Sequence, residues 1–168
     1  MMKPKETQPL DPVYLSIDLD AFNPEEYWPA FRRIFRRVVA RGASIPVVMS
    51  HDKLLPYVNQ SAARELWNVD YHNDLGHTEP GEILGLPDLN CGTWVNFVRW
   101  RRYGTYVWNH PHRREWNQPG LGRCDDDQHN PLTNPKYRQW SRVQVRNIER
   151  SIPWKRVVDI GVAVSPDY

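Results

Sequence analysis

Three apolar runs in the first half of the chain end in the same way, and that shared ending constrains the fold more than any other feature. Val13-Tyr14-Leu15-Ser16-Ile17-Asp18-Leu19-Asp20 closes on two carboxylates before Asn23-Pro24. Ile45-Pro46-Val47-Val48-Met49-Ser50 leads into His51, and Leu66-Trp67-Asn68-Val69 into Asp70-Tyr71-His72-Asn73-Asp74. Such runs, bounded by turn residues, read as strands. Because side chains alternate across a strand, Asp18 and Asp20 can share a face, and so can Asp70, His72 and Asp74, with about 7 Å between i and i+2. Strands that deliver polar groups at their carboxyl ends fit an open α/β sheet, whose sites lie there.

The intervening segments supply the helices. Pro24-Glu25-Glu26 opens one with acidic charge at its amino end. Trp28, Phe31, Phe35, Val38 and Val39 then mark an apolar face, and Gly42 stops the helix. Pro56 to Leu66 reads as a second helix, 136 to 150 as a third, and Trp154 to Val164 as the last strand. Alternating strand and helix predicts an α/β fold with a parallel sheet. Residues 1 to 12 form a flexible start, Val95 to Trp108 mixes Trp, Tyr and Arg, and Asn109 to Pro135 is loop-like, with repeated Pro, Gly, Asn and Asp.

Composition sets the outer bounds. With 168 residues, 40% of them hydrophobic, the chain is expected to form a single domain, residues 1 to 168. A net charge of +2 makes no claim on nucleic acid or membrane, and the Arg32, Arg33, Arg36, Arg37 run reads as a solvated helix face. Cys91 and Cys124 lack a framework spacing and Met1 to Pro9 has no apolar signal region, so a reducing, cytoplasmic setting is expected. The sequence sets no oligomeric state.

Charge decides what the strand ends can hold. Asp18, Asp20, Asp70 and Asp74 brought together would repel one another, whereas two divalent cations neutralise them. Carboxylates with imidazoles and no thiolate suit Mn, Fe, Co, Ni or Zn, and the oxygen-rich set leans toward Mn. The Asp125-Asp126-Asp127-Gln128-His129 run, in a polar stretch, reads as ordinary loop.

Ser16-Ile17-Asp18-Leu19-Asp20, His51 and Asp70-x-His72-x-Asp74 resemble the metal-binding motifs of the arginase or ureohydrolase superfamily, although the usual order places the D-x-D strand last and here it comes first. That permuted order, the short chain and Cys91-Gly92-Thr93-Trp94 resemble the atypical peptide arginases of ribosomal-peptide pathways, the OspR type. The resemblance implies a minimal three-layer parallel-sheet arginase-like fold with permuted motif order and a pair of Mn2+ ions. It implies that Asp70 and Asp18 bridge the ions, with His51 and Asp74 completing one ligand set and His72 and Asp20 the other. It further implies hydrolysis of arginine side chains in a precursor peptide to ornithine and urea by a metal-activated hydroxide, with Asp74 relaying a proton to the leaving nitrogen.

The sequence departs from the usual ureohydrolase pattern in two places. Cys91-Gly92-Thr93-Trp94-Val95 stands where ordinary arginases carry a Ser-Gly-Asn-x-His segment that handles a free amino acid, so the shuttle His is missing; His77, His110 and His112 are candidates for the acid. The guanidinium-binding Glu is absent from the last strand, leaving Glu82 and Asp167 as substitutes, and Trp94 begins an aromatic, arginine-bearing stretch suited to an extended substrate. The expected partner is an arginine-containing precursor peptide. Two alternatives stay open: a small-molecule guanidine or amide hydrolase of agmatinase or deacetylase type, and a non-catalytic metal-binding or peptide-binding module.

Overall fold

The structure, a computed structural model, describes residues 10–19, 28–40, 44–70, 74, 89–111, 139–145 and 148–165. Strand β1 (Val13–Asp18) is buried along its whole length. Helix α1 (Trp28–Val39), strand β2 (Val47–Val48), a 3-10 turn (His51–Leu54), helix α2 (Leu55–Gln60) and strand β3 (Glu65–Val69) follow. A second 3-10 turn (Trp94–Phe97), strands β4 (Thr105–Pro111) and β5 (Gln139–Val145), helix α3 (Ile148–Ser151) and strand β6 (Val157–Ala163) complete the order. The six strands form one sheet, ordered β2-β6-β1-β3-β4-β5, and every pairing is parallel. The fold is therefore α/β, and β1 runs through its middle, which is why its sequence is nearly continuous in apolar residues.

Alternation along the strands gives the sheet two unlike faces. Val13, Leu15 and Ile17 of β1, with Val69, Val157, Ile160 and Val162, pack against Ile34 and Val38 of α1 and against Ile152. On the other face Tyr14, Leu66, Tyr106, Trp108 and Ala163 pack against Leu54, Val58, Ala63, Trp94, Val95, Trp100 and Tyr103. One face is aliphatic and the other aromatic, and helical segments cover both. At Gly161 the aromatic face has no room for a side chain: a Cβ would lie 2.6 Å from the Tyr14 hydroxyl and 2.7 Å from Leu54 Cδ2.

Several expectations give way. The stretch 136–150 is not one helix: Gln139–Val145 pairs with β4 as a strand, and only Ile148–Ser151 is helical. Strand β4 begins within the mixed aromatic segment and takes Asn109 to Pro111 from the expected loop, because Thr105 to Asn109 pair with β3. The helix expected over Pro56 to Leu66 ends at Gln60, and Glu65 and Leu66 are already paired with β1. In each case strand partners far away in the chain outweigh a local period. Among the α1 side chains that are described, Ile34 and Val38 are buried, whereas Phe35 and Val39 are exposed; those of Trp28 and Phe31 lie outside the description. The expected start of that helix at Pro24-Glu25-Glu26 and its stop at Gly42 lie outside the described residues, as do residues 1–9 of the start (1–12) that the sequence leads one to expect as flexible.

Candidate metal centre

The site is set by topology before chemistry. From the carboxyl end of β1 the chain goes to α1 on the aliphatic face, while from the end of the adjacent β3 it goes to the 3-10 turn at Trp94 on the aromatic face. Two neighbouring parallel strands whose connections leave to opposite faces open a crevice at their carboxyl ends. Asp18 is the last residue of β1 and Asp70 the first after β3; the last registered pair between these strands is Ile17 with Val69, so the two carboxylates stand side by side at that crevice. Strand β2 brings His51 to the same edge, two strands away, as the first residue of the 3-10 turn. Asp74 completes the group.

Asp18, His51, Asp70 and Asp74 are all buried. His51 Nδ1 lies 2.9 Å from Asp74 Oδ2, 3.0 Å from Asp70 Oδ2 and 3.2 Å from Asp18 Oδ2. One imidazole proton cannot serve three carboxylates, and Nδ1 makes no aligned hydrogen bond among the described residues. The other ring nitrogen, Nε2, is 2.5 Å from the Ser16 hydroxyl. When Nε2–H donates to Ser16 Oγ, the Nδ1 lone pair faces the carboxylates, and this is how a second partner orients a metal-binding imidazole.

The surrounding side chains hold this arrangement rigid. Trp94 Nε1 donates to Asp74 Oδ2 at 2.5 Å, and its ring lies against His51, with centroids 4.7 Å apart. Asn68 Nδ2 sits 3.3 Å from Asp70 Oδ2 and 3.4 Å from Asp74 Oδ2. Ser165 Oγ donates to Asp18 Oδ2 at 2.7 Å, and Trp108 Nε1 donates to the Asp70 carbonyl at 2.9 Å. Among the described residues, Asp74 (φ 54°) and Ser165 (φ 41°) are the two non-glycine residues with positive φ. Both touch the cluster, and strained backbone of this kind gathers at functional sites.

The crowded carboxylates need compensating positive charge, from protons or from a cation. Burial, then the charge of Asp70, pushes the Asp74 carboxyl well above its usual range. For His51, burial opposes protonation, but the charge of Asp74 and the hydrogen-bonding reach of Asp18, Asp70 and Asp74 outweigh it and raise its pKa. Without a cation the cluster must hold extra protons; three ionised carboxylates around one nitrogen, removed from water, are too costly. One oxygen each from Asp18 and Asp70 and one nitrogen of His51 all lie within 4.8 Å of one another, a spacing at which a single cation can touch all three. The donor set is of the oxygen-rich, imidazole-bearing kind that suits a transition metal such as Mn. The residues present fit a metal ion.

Of the sequence candidates, the structure brings Asp18, His51, Asp70 and Asp74 together. Asp20, His72, His77, Glu82, Asp167 and His112 lie outside the described residues, as does the side chain of His110. The Trp94 side chain is completely buried and donates to Asp74, so it packs against the carboxylates. The supporting residues Ser16, Asn68 and Ser165 are not among the sequence candidates. Two of them carry a signal: Ser16 and Asn68 lie two residues before Asp18 and Asp70, on the same strand faces. No family model, curated protein or solved structure matches the chain. Among the described residues no helix is long and apolar enough to cross a membrane.

Proposed function

We propose that this chain is a manganese-dependent hydrolase of minimal, three-layer arginase-like fold, which converts arginine side chains in a ribosomally made precursor peptide to ornithine and urea in the cytoplasm. The observation that carries this reading is the convergence of Asp18, His51, Asp70 and Asp74, from three strand ends, on one buried point at the switch in strand order. The same residues lie in the segments that resemble the ureohydrolase ligand motifs, and their arrangement around one point supports the grouping that the resemblance implies for one of two ions. Asp18 and Asp70 would be shared between the ions, His51 and Asp74 would complete one set, and Asp20 and His72 the other.

A bound pair of divalent ions would lower the pKa of a shared water and polarise a guanidinium carbon toward attack. The chain's own residues do the rest. Ser16 fixes the His51 tautomer, and Asn68 and Trp94 fix Asp74 through its Oδ2. Trp94 and Asn68 both reach Asp74 at Oδ2, beside the Asp70 carboxylate. In this reading Asp74 relays a proton to the departing amine, which must be protonated to leave.

The test is a comparison of substrates with the Mn-loaded protein. An arginine-containing peptide should lose the mass of cyanamide at each converted arginine, the net result of adding water and releasing urea. Free arginine and agmatine should react far more slowly. Good turnover of the free compounds with no change in any peptide would replace this reading with a small-molecule guanidine hydrolase, and metal binding without any turnover would leave a binding module.

A further inference from the structure

We propose that a recess at the opposite, amino-terminal end of the sheet binds the guanidinium or ammonium group of a basic side chain. It has a volume of about 260 Å³ and is lined by Tyr14, Ser44, Tyr57, Gln60, Ser61 and Asp159, among others. Tyr14 and Asp159 are register partners on β1 and β6, so the carboxylate and the phenol ring project from adjacent strands onto the same side of the sheet. Tyr14 stands four residues before Asp18 on β1, about 13 Å along the strand, so the recess is separate from the carboxylate cluster.

The lining selects for positive charge. Among the described residues that line it, Asp159 is the one charged group and none is Lys, Arg or His. Ser61 Oγ donates to Asp159 Oδ2 and accepts the Ala63 N–H at 3.0 Å, so the hydroxyl is fixed in direction and Asp159 is held in place. Among the described residues Ser61 is the one hydrogen-bond partner of Asp159, which leaves Oδ1 to receive a donor. Tyr57 is 48% exposed, a large aromatic ring left open to solvent. The Tyr14 hydroxyl is buried without a hydrogen-bond partner among the described residues.

A carboxylate that shares a recess with the half-exposed Tyr57 ring and neutral polar groups suits a delocalised cation, which gains a charge-assisted hydrogen bond at the acid and attraction to that ring face. An anion would meet Asp159 with like charge, and an apolar group would strip water from it without replacing the lost contacts. Under the function proposed above, the occupant is a second basic residue of the same peptide, held at a distance from the reacting arginine. The choice of a peptide rests on that reading; the preference for a cation rests on the recess alone.

Calorimetry on the full-length Asp70→Ala variant, which lacks a central carboxylate of the metal cluster, separates the two. Nα-acetylarginine amide should bind, the uncharged isostere Nα-acetylcitrulline amide should not, and Asp159→Asn should weaken the arginine probe about tenfold or more, as expected for loss of a hydrogen bond between charged groups. Should Asp159→Asn fail to fold, Tyr57→Ala provides the check, because Tyr57 is half exposed; it should weaken the same probe several-fold. Equal binding of the citrulline probe, or arginine binding unchanged by Asp159→Asn or by Tyr57→Ala, overturns the proposal. Arginine binding that depends on Asp159 in a protein that hydrolyses no guanidine would uphold the recess and refute the hydrolase.

Discussion

The two faces of the central strand are made from alternate residues of one segment and do different work. Val13, Leu15 and Ile17 enter a layer whose buried hydrophobic members are all aliphatic and offer bulk. Tyr14, Ser16 and Asp18 face the aromatic side, where Trp94, Trp108 and Asn68 provide N–H donors at the cluster. Leucine and valine could fill the aromatic side equally well, but they could not orient a carboxylate. Indoles bury a large area and still deliver one directed donor each, so the same side chains form the core and aim the site. A site built this way depends on packing on one face only, and substitutions on the two faces should have separable effects.

The largest effect is expected at the centre. Asp70→Ala should abolish both metal uptake and hydrolysis, because it removes a carboxylate shared by the whole cluster. The metal-free fold should lose little, since removing one of several crowded negative charges relieves repulsion. Elemental analysis and thermal unfolding together check this. Full metal content in the variant would refute the placement of the centre.

Leu15→Ala should act in the opposite sense. Leu15 is fully buried in the aliphatic layer, so its truncation should cost about 2–5 kcal/mol of stability. Metal affinity of the folded fraction should be unchanged, because Leu15 points away from the cluster. Denaturant titration alongside metal titration would show whether the faces are independent; a parallel fall in affinity would mean that they are coupled through the strand.

Trp94→Phe sharpens the comparison from the aromatic side. It keeps most of the ring volume but deletes the donor to Asp74 Oδ2. Metal affinity should fall about 10-fold to 100-fold, the range typical for loss of a group that orients a metal ligand. Stability of the metal-free protein should change much less than in Leu15→Ala. An unchanged affinity would reduce Trp94 to packing.

The smallest effect belongs to the outer surface of the aliphatic layer. Arg33 Nε lies 2.5 Å and Arg37 Nη2 3.2 Å from Glu149, but both arginines are about half exposed. Glu149→Gln should cost about 1 kcal/mol or less, and less again in high salt. Unfolding at two ionic strengths checks this.

The legible parts of the fold were those where local pattern and tertiary demand agree. The near-continuous apolar run of β1 is what a strand covered on both faces requires, and its terminal Asp18 marks the edge of the sheet where polar groups are admitted. Asp70 after Val69 repeats that pattern on β3. Strand β5 was illegible because Gln139 to Val145 carries no clear alternation and becomes a strand through its partner β4. The contacts of Trp94 were equally hidden: a tryptophan in an aromatic segment is more often core than surface, but nothing local says that it packs against His51 and donates to Asp74.

The sequence by itself determined the α/β class and the identity of the groups at the strand ends, because strand period and side-chain chemistry are properties of short segments. It also placed Ser16 and Asn68 on the same faces as Asp18 and Asp70, through alternation alone. Only the tertiary structure decided which strands are neighbours, and hence that Asp18 and Asp70 stand side by side, with His51 reaching them from a strand two places from β1 and three from β3. Strand order is fixed by crossovers and by the fit of whole faces against their helices, and no segment encodes that fit alone. The same cause put Asp159 beside Tyr14, one hundred and forty-five positions apart in sequence and adjacent across the sheet.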